Sequence, residues 1–219
     1  MKNFLLKIIP ALLLSTNYLF SQSVPLPNGI KTHDGFFLRL TPGFGYTNVS
    51  ESVPDDMLSQ QNKGKDILTF SGGFTAANTI QIGGAVSENL IIFGESGGVL
   101  VTNPSVKAFE EEVENPGDVQ ILLGGIGPGV TYYFMPSNIY LSATILASIA
   151  SVNIEGADVQ KSNIGFGFNF IAGKEWWAGE QWGLGVSLYF RYGSQTDQDV
   201  EDITISGYSF GALFTATFN

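Results

Sequence analysis

The stretch Phe93-Gly94-Glu95-Ser96-Gly97-Gly98 has the letters of a nucleophile elbow, Gly-x-Ser-x-Gly. Its serine would need a histidine base, and an elbow also needs a strand-to-helix turn. The chain has one histidine, His33, and it precedes the serine. Val99-Leu100-Val101 continues the stretch as strand, not helix. The order His, Asp, Ser is formally available with Asp55, Asp56 or Asp66, yet Ser96 would then lie within a glycine-rich strand, where glycines serve sheet bending and close packing. Gly124-Gly-Ile-Gly-Pro-Gly129 suggests a phosphate loop, but Val130-Thr-Tyr-Tyr-Phe134 after it is strand, whereas a dinucleotide fingerprint opens a helix. Zinc chemistry lacks ligands, with no cysteine and one histidine. The residues therefore predict no enzyme, no catalytic or metal site and no cofactor.

The elements that hold these residues are unusual. Charged residues are 14% of the 219, against about 25% in soluble domains. There are 27 glycines, and aromatics reach 13%. Lys2 and Lys7 precede an apolar run, Ile8 to Leu14, that weakens towards Phe20. Ser21-Gln22-Ser23 offers the small residues of a cleavage site, so 1–23 is expected to be a signal peptide and 24–219 the mature domain. No later stretch approaches the ~20 apolar residues of a spanning helix. The formal charge of −10 argues against nucleic acid as a partner.

Period-two alternation marks strands. Trp182, Leu184, Val186, Leu188, Phe190 and Tyr192 oppose Gly183, Gly185, Ser187, Tyr189 and Arg191. The final segment, 208–218, and segment 162–177 repeat the pattern. Segments 35–46, 67–86, 90–102, 119–134 and 139–154 bring the total to eight. Their connections alternate: 47–66, 103–118 and 193–202 are long, 155–161 is moderate, and 87–89, 135–138 and 178–181 are short. Tight turns on one side and long loops on the other are the habit of transmembrane barrels. The predicted fold is all-β: a closed, antiparallel, up-and-down transmembrane β-barrel of eight strands. A soluble lipocalin-like ligand-binding barrel is the rival.

Tyr132, Tyr133 and Tyr140 bracket the second short turn and Trp176, Trp177 and Trp182 the third, as an interfacial aromatic girdle would. Tyr46, Phe70, Tyr192 and Tyr208 are candidates for a second girdle at the loop end. With these segments the chain resembles the small eight-stranded outer-membrane barrels, the OmpA-, OmpX- and OmpW-like group. The resemblance rests on Gly127 to Phe134 with its turn, Gly173-Lys-Glu-Trp-Trp177 through Gly185, and the aromatic final strand. It implies residence in a bacterial outer membrane, contact with its lipid bilayer, and insertion by the outer-membrane assembly machinery. Phe214 and Phe218 would carry the C-terminal signal, although Asn219 follows where the group ends on an aromatic.

Arg39, Glu95, Glu175 and Arg191 fall on the inward parity and are expected to form an interior charge network. Small inward residues such as Gly43, Gly45, Thr75, Gly127, Gly129, Gly165 and Gly185 predict water inside the barrel but no large pore. The long loops and the moderate one together hold 15 of the 20 acidic residues, a surface for an extracellular partner or divalent cations. The expected role is structural or surface-interacting and non-enzymatic. A narrow conduit for small solutes, apolar ones included, is the alternative.

Overall fold

The structure, a computed structural model, describes residues 31–114, 116–155, 159–200 and 202–219. The expected signal peptide, 1–23, lies outside the described residues. Twelve strands follow in order: β1 (Phe36–Ser52), β2 (Leu68–Ser71), β3 (Phe74–Ser87), β4 (Leu90–Thr102), β5 (Ser105–Ala108), β6 (Glu111–Glu112), β7 (Val119–Phe134), β8 (Ile139–Ile154), β9 (Gln160–Lys161), β10 (Gly165–Trp177), β11 (Trp182–Thr196) and β12 (Thr204–Phe218). Eight of them, β1, β3, β4, β7, β8, β10, β11 and β12, pair antiparallel around a ring. β12 pairs with both β11 and β1, which closes the barrel.

Alternation decides which way each side chain points. Leu40, Ile80, Ile82, Ile145, Phe166, Leu188 and Phe214 are exposed on the outside, while Arg39, Gln81, Glu95, Asn169 and Thr217 are buried inside. An apolar outer wall around a polar interior suits a bilayer. The lipocalin-like alternative requires the opposite polarity and is set aside.

The strands run further than the sequence suggested. β1 continues to Ser52, and Thr47–Ser52 pairs with Thr204–Ser209. Asn48, Ser50 and Ser52 read as loop by propensity, yet a ladder already formed on both sides carries them upward. The predicted strand 67–86 breaks at Gly72 and Gly73, whose φ of 73° and 74° favour glycine. Beyond that break β2 pairs with β1 and β5, so the wall rises past β3 and β4 as a small extension.

Among the described residues large side chains pack the glycine-lined interior, which leaves less room for water than the small wall residues suggest. A methyl at Gly129 would lie 2.5 Å from the Phe93 ring, and one at Gly173 would lie 2.7 Å from the Tyr140 ring. The small wall positions are the sockets of large inward side chains. Phe37, Ile91, Phe93, Tyr133, Tyr140, Val99 and Val101 fill the lumen. Towards the loop end Val49, Phe70, Val106, Val119, Ile121 and Ile205 form an apolar cluster. One small interior cavity of about 10 Å³, among Thr79, Asn169, Tyr189 and Arg191, is the size of a single water.

This complementarity is testable. Gly173→Ala should cost about 1–3 kcal/mol, because the added methyl meets Tyr140 and Ser187. Gly94→Ala faces outward with its nearest neighbour 4.0 Å away, and should stay within about 0.5 kcal/mol of the parent. Urea unfolding of the barrel refolded in lipid vesicles would compare them.

Candidate functional site: a cross-linked interior and a histidine plug

Five side chains from five strands form a line of alternating polarity across the lumen. Arg39 on β1 pairs with Glu175 on β10, Nε to Oε1 3.3 Å, with neither side chain exposed at all. Its NH1 donates to Gln81 Oε1 on β3 at 3.1 Å. Gln81 Nε2 in turn donates to Glu95 Oε2 on β4 at 2.9 Å. Arg191 on β11 completes the line, NH2 to Glu95 Oε1 2.8 Å. The amide of Gln81 thus presents its oxygen to a cation and its nitrogen to an anion, and the two ion pairs fix which way it faces.

The remaining hydrogen-bonding capacity of these charges is largely used. Glu95 also accepts from Thr144 Oγ1 and Asn169 Nδ2, each at 2.9 Å, so each carboxylate oxygen has two donors. Glu175 accepts from Thr217 Oγ1 at 2.7 Å and Tyr133 Oη at 3.0 Å. Arg39 also donates to Thr217 and Tyr133, and its guanidinium carbon lies 3.9 Å from the centre of the Tyr140 ring. Thr131 on β7 donates to Ser142 on β8 at 2.8 Å. Every barrel strand therefore contributes to one network.

The structure thus places Arg39 beside Glu175 and Glu95 beside Arg191. The sequence reading leaves Gln81, Asn169, Tyr133 and Tyr140 out of the charge network. Gln81 shares the inward parity of Thr75, Ala77 and Thr79, a signal that was present in the alternation.

Tyr133 and Tyr140 are corrections to the girdle, since both are fully buried in the lumen. Adjacent aromatics on a strand point to opposite faces, so Tyr132 and Tyr133 cannot both face lipid, nor can Trp176 and Trp177. Tyr132, Trp176 and Trp182 are exposed on the outside, and Trp182 packs edge-on against Phe218 at 5.4 Å. Trp177 turns inward. At the loop end Tyr46 and Tyr208 are exposed, but Phe70 is buried.

Trp177 forms part of a plug at the short-turn end. The segment before β1 folds across the mouth, where His33 exchanges bonds with Asn89: His33 N to Asn89 Oδ1 at 3.2 Å, and Asn89 N to His33 O at 3.0 Å. The imidazole stacks on Tyr133 at 3.5 Å and on Trp177 at 4.9 Å. Its Nε2 is 2.8 Å from Asn138 Oδ1 in the turn between β7 and β8. Lys31 lies over the Trp177 ring at 5.0 Å. His33 is therefore committed to packing, far along the chain fold from Ser96, which faces outward within β4 between Ile80 and Ile126. Gly124–Gly129 lies wholly within β7.

Burial holds the His33 imidazole below the usual histidine range. The Arg39 charge pushes the same way, against the opposing pull of the Asn219 and Asn138 amides and the Glu175 carboxylate. A neutral ring in the folded state means the unfolded chain binds the proton more readily. The plug is then at full strength above the ordinary pKa of 6.5 and weakens as pH falls from there towards the lowered folded value. With a single histidine in the chain, an NMR titration reports this group alone. It should titrate below 6.5, and His33→Gln should flatten the acid-side loss of stability. Titration at or above 6.5 would contradict the packing account.

No family model matches the chain, and no curated protein matches it. Among solved structures it is similar to the outer membrane protein OprG from Pseudomonas aeruginosa (TM-score 0.49, 10% identity, 85% of this chain and 98% of that one). It is also similar to Neisserial surface protein A (TM-score 0.47, 14% identity, 84% and 96%) and to the outer membrane protease OmpT from Escherichia coli (TM-score 0.47, 9% identity, 87% and 99%). At these identities the likeness is one of chain path. The closed ring, its apolar outer wall and its alternating short turns and long loops are the architecture of an outer-membrane β-barrel.

Proposed function

We propose that this protein sits in a bacterial outer membrane as a closed, non-enzymatic scaffold with a structural or surface-interaction role. The filled lumen carries this reading: the Arg39–Glu175 and Arg191–Glu95 pairs span it, and His33 packs into its mouth. Eight strands leave an interior that side chains can fill, and here they do. By the habit of such barrels the short turns face the periplasm and the long loops face outward. Those loops hold 15 acidic residues against four lysines, and the exposed ones, unlike the buried Glu51 and Asp197, would face an extracellular partner or divalent cations.

Tyr132, Trp176 and Trp182 are suited to the periplasmic interface, where amphipathic rings settle. Phe214 and Phe218 are offered as the features that the assembly machinery reads. Ser96 has no base beside it and faces away from the lumen, which supports a role without catalysis. The conduit reading would need Arg39, Tyr133 and Tyr140 to move aside together.

Planar-bilayer recording and liposome swelling on folded protein test the choice. The scaffold predicts neither stable conductance nor swelling. Stable channels, or swelling by small solutes, would overturn it in favour of a conduit.

A further inference from the structure

At the loop end of the lumen lies a second polar group, separate from the central network. Glu51 on β1 and Gln195 on β11 both point inward, and each is 3% exposed. They stand on either side of Ile205, which pairs with both across β12. Adjacent strands are about 4.8 Å apart, so the two backbones are separated by roughly 10 Å, with the buried Ile205 on the strand between them. Asp197, 2% exposed, follows β11. Its Oδ2 accepts from Gln160 Nε2 at 2.8 Å, and Gln160 also stands beside the Glu51 carboxylate. Asp197 Oδ1 holds the following loop through the Asp199 and Val200 amides, at 2.8 and 2.9 Å.

Glu51 and Asp197 are both buried, with no lysine or arginine paired to either among the described residues. Such charges are costly unless neutralised. Among the described residues, the Gln195 amide has neither its oxygen nor its nitrogen in a hydrogen bond, and Glu51 Oε1 has no donor. All the available ligands are oxygens, without sulfur or imidazole. That set selects a hard cation, and the mixture of carboxylates, amide oxygens and an adaptable loop suits Ca²⁺ better than the strict octahedron of Mg²⁺.

We infer that Glu51, Asp197, Gln195 and Gln160 form a Ca²⁺ site inside the loop-end mouth of the barrel, tying β1, β9 and the loop after β11 together. Two carboxylates balance the ion's charge. The surrounding acidic loops raise the local cation concentration. With so few charged ligands the affinity belongs with extracellular modules, Kd about 10⁻⁴–10⁻³ M. The inference does not depend on what the outer loops contact.

The test uses the full chain refolded in a zwitterionic detergent, stripped with EDTA, and then given CaCl₂ at constant ionic strength. Titration calorimetry and the temperature of the heat-modifiable gel shift are read. The melting temperature should rise with Ca²⁺ and keep rising with its logarithm above Kd. Glu51→Gln should lose that rise, while melting in EDTA at or above the parent temperature, because a buried repulsion has gone. Gln195→Met, which keeps the volume, should weaken binding. Glu112→Gln, an exposed carboxylate on another loop, should leave it unchanged. A parent protein indifferent to Ca²⁺ would overturn the site. So would a rise kept in both Glu51→Gln and Gln195→Met, since that would be diffuse screening of the loops.

Discussion

The Gln81 amide, held between the Arg39–Glu175 pair and the Glu95–Arg191 pair, is the contact through which the two halves of the interior become one network. A narrow lumen gives charges little water, and an unpaired one there is severely unfavourable. Each of the four charges therefore depends on a partner from another strand, and the pairing requires the ring to close in one register. Sliding β10 by one residue would turn Glu175 outward and leave Arg39 without its partner. The outer wall, largely apolar, says little about register. The interior supplies it.

Closure also sets the demand for glycine. Large groups such as Phe93, Tyr140 and Tyr189 reach across the lumen, and they need wall positions without side chains to receive them. Gly129, Gly173 and Gly45 are those positions, each with a large side chain within 2.7 Å of where a methyl would stand. A composition rich in glycine and aromatics is thus one feature seen from two sides. The same packing leaves the mouth narrow enough for one imidazole, stacked between Tyr133 and Trp177, to fill it.

The ring, its strand count and its alternating turns were legible because alternation and connection length are local signals. The inward direction of Arg39, Glu95, Glu175 and Arg191 followed from parity. Their partners did not, because Arg39 meets Glu175 across most of the chain's length, and period two carries no information about distance around a barrel. Nearness to a turn groups Tyr133 and Tyr140 with the girdle, although parity sends both inside. Small wall residues alone suggest empty space, because the residues that fill it, Ile91, Phe93, Val99 and Val101, come from the glycine-rich segment around Ser96. His33 carried no pattern at all, lying before the first strand, and its place became visible only with the turn containing Asn138.

The dependence of the fold on the interior pairs can be measured with a double-mutant cycle on Arg39→Met and Glu175→Gln, read by urea unfolding in lipid vesicles. Each single change leaves the other charge buried without its partner and should cost about 3–5 kcal/mol. The double variant should be destabilised by much less than their sum, since neither charge then remains. Single variants as stable as the parent, or costs that simply add, would contradict the account.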